Sequence, residues 1–144
     1  MNKINQMKTY VITVFILLLS FELSDYEVPR VDLIQNDVNE WDILIQAIIQ
    51  VESEGDPFAV GKTNDVGILQ ITPIYVKEVN RILKRNAYTL KERTDEQKSL
   101  EMFEVYQRHH NPDKNLLKAI KLHNPGAGKW YADKVIKMFN ELKS

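Results

Sequence analysis

One segment limits the folds open to this chain more than any other. From Glu40 to Glu54 it reads EWDILIQAIIQVESE. Trp41, Leu44, Ile45, Ile48 and Glu52 recur at helical spacing and fall on one stripe, and Ile49 and Val51 widen it. Asp37 and Glu40, three residues apart as in a capping box, mark the start. Gly55, with Pro57 beyond it, marks the stop. A helix this apolar has to be packed centrally, so the remaining elements must be built around it.

The remaining elements follow in order. Residues 55–66, GDPFAVGKTNDV, are rich in turn formers and read as a loop or a small β-hairpin. GILQI, residues 67–71, is a short apolar run that fits a strand or an extended turn. Thr72-Pro73 opens a second helix, with a hydroxyl at the N-cap and proline at the first position. Its apolar face is Tyr75, Val79, Ile82 and Leu83. Residues 84–96 are polar and charged and read as a solvated connection. A helix from about Gln97 to His109 offers Leu100, Met102, Phe103, Val105 and Tyr106 to the core, and Asn111-Pro112 breaks it. A short helix over 113–122, a turn at HNPGAG (123–128) and a last helix over 129–143 complete the chain. That last helix is expected to bury Tyr131, Val135, Met138 and Leu142. The fold class is mainly α: a helical domain with a small β element.

Composition narrows the function classes. The chain has 144 residues, 44% hydrophobic and 27% charged, which describes a globular domain rather than a disordered one. There is no cysteine, which excludes disulfides and thiolate metal sites. The formal net charge of −1 provides no basic excess, so no nucleic-acid partner is expected. Lys3 and Lys8 precede an apolar run from Tyr10 to Phe21. That run is shorter than the about 20 residues a membrane span needs, and it suits the apolar region of a secretory signal. Residues 1–24 are therefore read as a signal peptide or an uncleaved inner-membrane anchor, 25–39 as a lead-in, and 40–144 as the functional domain. An exported, periplasmic or cell-envelope location follows.

Glu52 is the anomaly in the central stripe, placed at the end nearest a loop. Burial disfavours the charged form of a carboxyl group, and a carboxyl that stays protonated can donate to a leaving oxygen. By periodicity alone, a glutamate that bends out to water or meets a cation is the commoner outcome. Asp65 in TNDVG is a second carboxylate; glycosidases use such pairs, although an Asp in a turn usually caps it. Gln70 and Asn124 carry both donors and acceptors that suit an acetamido group, against the blander readings of a solvent-facing residue and plain turn chemistry. His123 stands in the same turn as Asn124, while His109 and His110 are adjacent on a polar helix end. No histidine pair has metal-site spacing beside an acid, so neither metal nor other cofactor is expected.

The segments AIIQVESEGDPFAV, GILQITP and LHNPGAGKWYADKV, in this order, resemble the soluble lytic transglycosylase and goose-type lysozyme superfamily over roughly residues 40–140. The resemblance implies a lysozyme-like fold with a glycan-binding cleft and peptidoglycan glycan strands as the partner. It implies Glu52 as the catalytic acid and base, and Ser53 as the serine that helps hold the substrate or the acid. It further implies Gly67 and Gln70 as parts of a cleft-lining segment, Asn124 and Gly126 as an Asn-x-Gly turn, and Tyr131 as a cleft tyrosine. Two departures are evident. His123 stands where the family usually has tyrosine, and Pro125 replaces a small residue. NDVGILQI also resembles the segment of chicken-type lysozymes in which an Asp supplies the second carboxylate, which keeps Asp65 in view.

Two chemical outcomes remain open at this level. In a lytic transglycosylase, Glu52 alone cleaves the bond between N-acetylmuramic acid and N-acetylglucosamine and closes a 1,6-anhydro ring. In a lysozyme, Glu52 acts with Asp65 and water is the acceptor. A non-catalytic wall-binding protein of the same fold is the alternative from another class.

Overall fold

The computed structural model describes residues 39–144. The apolar run at 10–21, the leader boundary at 24, most of the 25–39 lead-in and Asp37 lie outside them. Five α-helices make up most of the described chain: α1 (Glu40–Ser53), α2 (Pro73–Leu83), α3 (Glu96–His110), α4 (Leu116–His123) and α5 (Lys129–Lys143). A 3-10 segment, Leu90–Thr94, joins α2 to α3. The mainly helical class expected from the sequence is present.

Helix α1 is central, as its stripe requires. Trp41, Leu44, Ile45, Ala47, Ile48 and Ile49 are all buried, and Ile43 joins them on the flank. Its first turn is capped by Asn39, whose side chain accepts from the Trp41 amide. It ends with Glu54 and Gly55 both in the left-handed region. The α5 helix makes its most extensive packing partner, laying Tyr131 and Val135 against it. Phe103 and Met102 of α3 and Ala119 and Ile120 of α4 close the other sides. Each large buried side chain contributes about 2 kcal/mol through removal from water. The Trp41 indole N–H donates to Glu104 at 2.7 Å, which pins the start of α1 to α3.

The boundaries of the later helices follow local chemistry. Thr72 caps α2 through the Tyr75 amide, with Pro73 at the first position. The α4 helix begins at Leu116 rather than near 113, because Asn115 caps it by accepting from the Lys118 amide. The buried Asn111 side chain ties that corner together by bonding both the amide and the carbonyl of Asn115. Leu142, expected in the core, is 46% exposed. It lies in the last turn of α5.

The small β element is slighter than a hairpin. Val66 forms isolated antiparallel bridges with Val60 on one side and Ile71 on the other. Gly67 and Gln70 both have positive φ, so GILQI runs as a tight turn rather than a strand.

The connection 84–96 corrects the sequence reading. Most of it is exposed, but Arg93 is buried at 6% exposure. Its Nη1 donates to the Asn64 carbonyl at 2.5 Å and to the Ile71 carbonyl at 3.0 Å. One guanidinium thus supplies the donor for the Asn64 carbonyl and a second donor for the Ile71 carbonyl, which also accepts from the Val66 amide. Gly67 is required beside it: φ is +85°, and an added Cβ would lie 1.9 Å from the Arg93 carbonyl oxygen.

Candidate active site

Glu52 sits in the last turn of α1, where the stripe runs out of the core. Its side chain is 13% exposed. The Tyr131 hydroxyl donates to Glu52 Oε1 at 2.6 Å. His123 Nε2 lies 3.5 Å from the same oxygen. Glu52 Oε2 has no hydrogen-bond partner among the described residues. Burial, and then the charge of Glu52, raise the Tyr131 pKa far above the usual phenol value, so this hydroxyl keeps its proton.

His123 ends α4 and is almost enclosed, its side chain 4% exposed. Its ring lies 5.6 Å from Phe103 and 6.1 Å from Tyr75, centroid to centroid. Nδ1 of His123 and the hydroxyl of Tyr75 are both buried without a partner among the described residues. Burial, with Tyr106 and Glu104 nearby, raises the Tyr75 pKa well above its ordinary value.

A cavity of about 460 Å³ opens beside this pair, and Glu52, Asp65, Gln70, His123 and Asn124 all line it. Five of the residues singled out by sequence therefore share one hollow, although they come from α1, the loop before α2, and the end of α4. Tyr131 reaches the site through Glu52 rather than by lining the cavity. Thr72, Ile74, Tyr75, Glu78 and Tyr106 also line it and were not anticipated as site residues. Alternation and periodicity marked Tyr75 and Tyr106 only as core.

Ser53 and Gly67 do not line the cavity. Ser53 Oγ donates to the Ile68 carbonyl at 2.9 Å and accepts from the Gly55 amide, fastening the end of α1 to the loop. Gly67 serves the close packing of the loop on the 3-10 segment. Gln70 spends its Nε2 on the carbonyls of Ala59 and Gly67, at 3.1 and 2.9 Å.

Asp65 is held by its own turn. Its Oδ1 accepts from the Thr63 hydroxyl at 2.6 Å and the Thr63 amide at 2.9 Å. Its carboxylate lies over Gly61, where an added Cβ would meet Oδ2 at 1.8 Å. Partial burial acts to raise the Asp65 pKa. The Thr63 hydroxyl, backbone donors and the Arg93 charge together outweigh it and leave the pKa lowered. Asp65 is thus both a turn cap and a cavity wall.

Glu52 stands at the edge of the cavity with Oε1 fixed and Oε2 without a hydrogen-bond partner among the described residues. That suits proton transfer to a bound group. No curated protein and no solved structure gives a match to this chain. The model of the transglycosylase SLT domain matches residues 34–138, which include every residue of the site. With most of its length in that match, the chain belongs to the transglycosylase SLT domain family, whose members act on peptidoglycan in the cell envelope.

Proposed function

We propose that the protein is a peptidoglycan lytic transglycosylase in which Glu52 is the only catalytic carboxylate. The reaction is cleavage of the β-1,4 bond between N-acetylmuramic acid and N-acetylglucosamine. The observation that carries this reading is the asymmetry at Glu52: Oε1 is engaged by Tyr131 and approached by His123, whereas Oε2 has no hydrogen-bond partner among the described residues. Oε2 is then the atom that gives its proton to the glycosidic oxygen as the C1–O bond breaks. The acetamido group of the muramic acid stabilises the positive charge at C1. The Glu52 carboxylate next takes the proton of the C6 hydroxyl, and O6 closes on C1 to form the anhydro ring. The proton given in the first step is recovered in the second, so no water is consumed.

Asp65 shares the cavity, which keeps the two-carboxylate hydrolase in consideration. Its commitment to Thr63 and Gly61 supports a different role, that of shaping the rim of the cavity. Gln70, His123 and Asn124 line the path proposed for the sugar. Ser53 and Gly67 hold the loop that carries it.

Residues 1–24 are proposed as the export segment, cleaved or retained as an anchor. Among the described residues no helix is long and apolar enough to cross a membrane.

Clearing of purified cell-wall sacculi by wild type and by Glu52→Gln tests the assignment. The amide keeps the shape and loses the proton, so the variant should bind sacculi and clear them about 10²–10⁴-fold more slowly, the scale general acid catalysis provides. Equal clearing by both proteins would remove Glu52 from the mechanism. Binding by both with clearing by neither would make this a wall-binding module.

A further inference from the structure

Helix α2 separates two hollows. Thr72, Ile74, Tyr75 and Glu78 face the cavity that holds Glu52. Pro73, Val76, Lys77, Asn80 and Lys84 line a second one, of about 730 Å³, on another face of the same helix. A helix with its side chains is about 10 Å across, so the two hollows lie about one helix width apart.

The second hollow is cationic in a chain of net charge −1. Lys77, Arg81, Lys84 and Arg85 line it, and no Asp or Glu does. Arg81 is taken by Glu78, which it grips through two bonds of 2.7 Å. Lys77, Lys84 and Arg85 are exposed and have no ion-pair partner among the described residues. Lys84 and Arg85 follow the last turn of α2, where the helix dipole offsets part of the repulsion among them.

The far wall is firmly built. Asn80 Oδ1 accepts from the amides of Ala87 and Tyr88 at 2.9 Å each, and its Nδ2 donates to the Tyr88 carbonyl at 2.8 Å. Pro73, Val76, Tyr88 and Leu90 add apolar surface between the cations. Cations set among apolar surface suit a short peptide with carboxylates and small aliphatic side chains better than a bare phosphodiester chain.

We infer that this groove takes the acidic stem peptide of the glycan strand whose sugars occupy the Glu52 cavity. The inference rests on the peptidoglycan-cleaving reading above. Peptidoglycan is a glycan from which short carboxylate-bearing peptides branch at the muramic acid. A strand lying beside α2 can send such a branch across the helix to Lys77, Lys84 and Arg85. The groove then selects strands that still carry peptides over stripped ones.

The test uses the full chain and two substrates: glycan strands with their stem peptides, and the same strands after removal of the peptides by an amidase. The readout is the ratio of kcat/KM between the two. Wild type should prefer peptide-bearing strands about tenfold at low salt, the scale three partly exposed ion pairs support, and the preference should shrink as salt rises. Lys77→Gln/Lys84→Gln/Arg85→Gln should bring the ratio close to one. Lys77→Glu, a single surface change, should lower it in the same direction should the triple variant fold poorly. The free stem tetrapeptide should compete with peptide-bearing strands for the wild type and not for the variants. A wild type without preference, or variants that keep it, would overturn the groove assignment while leaving peptidoglycan cleavage intact. Inhibition by poly(glycerol phosphate) without any peptide preference would give the groove to another anion and overturn it equally. Failure of the wild type to cut either strand would remove the cleavage reading and this one with it.

Discussion

The Tyr131 hydroxyl donates a 2.6 Å hydrogen bond to Glu52 Oε1, joining residues 79 positions apart in the chain. The bond is made possible by the packing of α5 on α1, and it fixes one oxygen of the carboxylate at the edge of the cavity. Tyr131→Phe keeps the buried ring and removes the donor. Turnover of cell-wall substrate should fall about 10-fold, the scale of one lost hydrogen bond that orients the carboxyl group. The thermal midpoint should stay near that of wild type. Unchanged turnover would show that the orientation of Glu52 does not depend on Tyr131.

Asp65→Asn separates the one-carboxylate mechanism from the two-carboxylate one. Asn keeps an oxygen that can accept from Thr63 and loses the charge. Under the present account, activity should stay within about tenfold of wild type, because a rim residue is altered and no catalytic proton is lost. A loss comparable to that of Glu52→Gln would assign Asp65 a part in the chemistry.

The same carboxylate predicts a pH dependence of stability. The folded pKa of Asp65 is lowered; burial alone would raise it, but the Thr63 hydroxyl, backbone donors and Arg93 outweigh burial. A lowered folded pKa means the ionised group stabilises the fold. That contribution is complete above the unfolded aspartate value of about 4, and it fades as the pH falls through the lower folded value. Melting curves of wild type and Asp65→Ala should therefore differ most at neutral pH and converge in acid. A gap that widens in acid would contradict the assignment.

The loop depends on Arg93 and Gly67. Arg93→Met leaves the Asn64 carbonyl without its donor and the Ile71 carbonyl with the Val66 amide alone, so unfolding in urea should show a loss of about 2 kcal/mol. Gly67→Ala places a methyl 1.9 Å from the Arg93 carbonyl oxygen and also strains a positive φ, for a loss of about 3 kcal/mol. Both should lower activity along with stability, because Asp65 and Gln70 ride on this loop. Stabilities within about 0.5 kcal/mol of wild type, the usual range for neutral surface changes, would mean the loop is held by other contacts.

How much of this was legible in the sequence follows the range of the interactions. The five helices were readable because periodicity, caps and breakers are local: Thr72-Pro73 and Asn111-Pro112 each mark a boundary by their own chemistry. Glu52 was visible as a polar residue in an apolar stripe, and the ordered motifs around it gave that position meaning. Arg93 was not visible. Nothing in KRNAYTLKERTDE distinguishes the arginine that turns inward from the charged neighbours that stay in water, since its partners, Asn64 and Ile71, lie 29 and 22 residues away. Leu142 misled for the reverse reason: periodicity gives the apolar face of α5, but not how much of that face is covered at the end of the helix. The resemblance gives Gly67 a place in a cleft-lining segment and Ser53 a part in holding the substrate or the acid; what it does not convey is that each also fastens the loop.

The central claim is that Glu52 works alone and returns its proton through the substrate. Mass spectrometry of the fragments released from purified peptidoglycan by the full chain tests this most directly. Fragments ending in 1,6-anhydro N-acetylmuramic acid, one water lighter than their hydrolytic counterparts, are expected from wild type and Asp65→Asn, and none from Glu52→Gln. Fragments carrying only free reducing ends, or release that persists in Glu52→Gln, would contradict it.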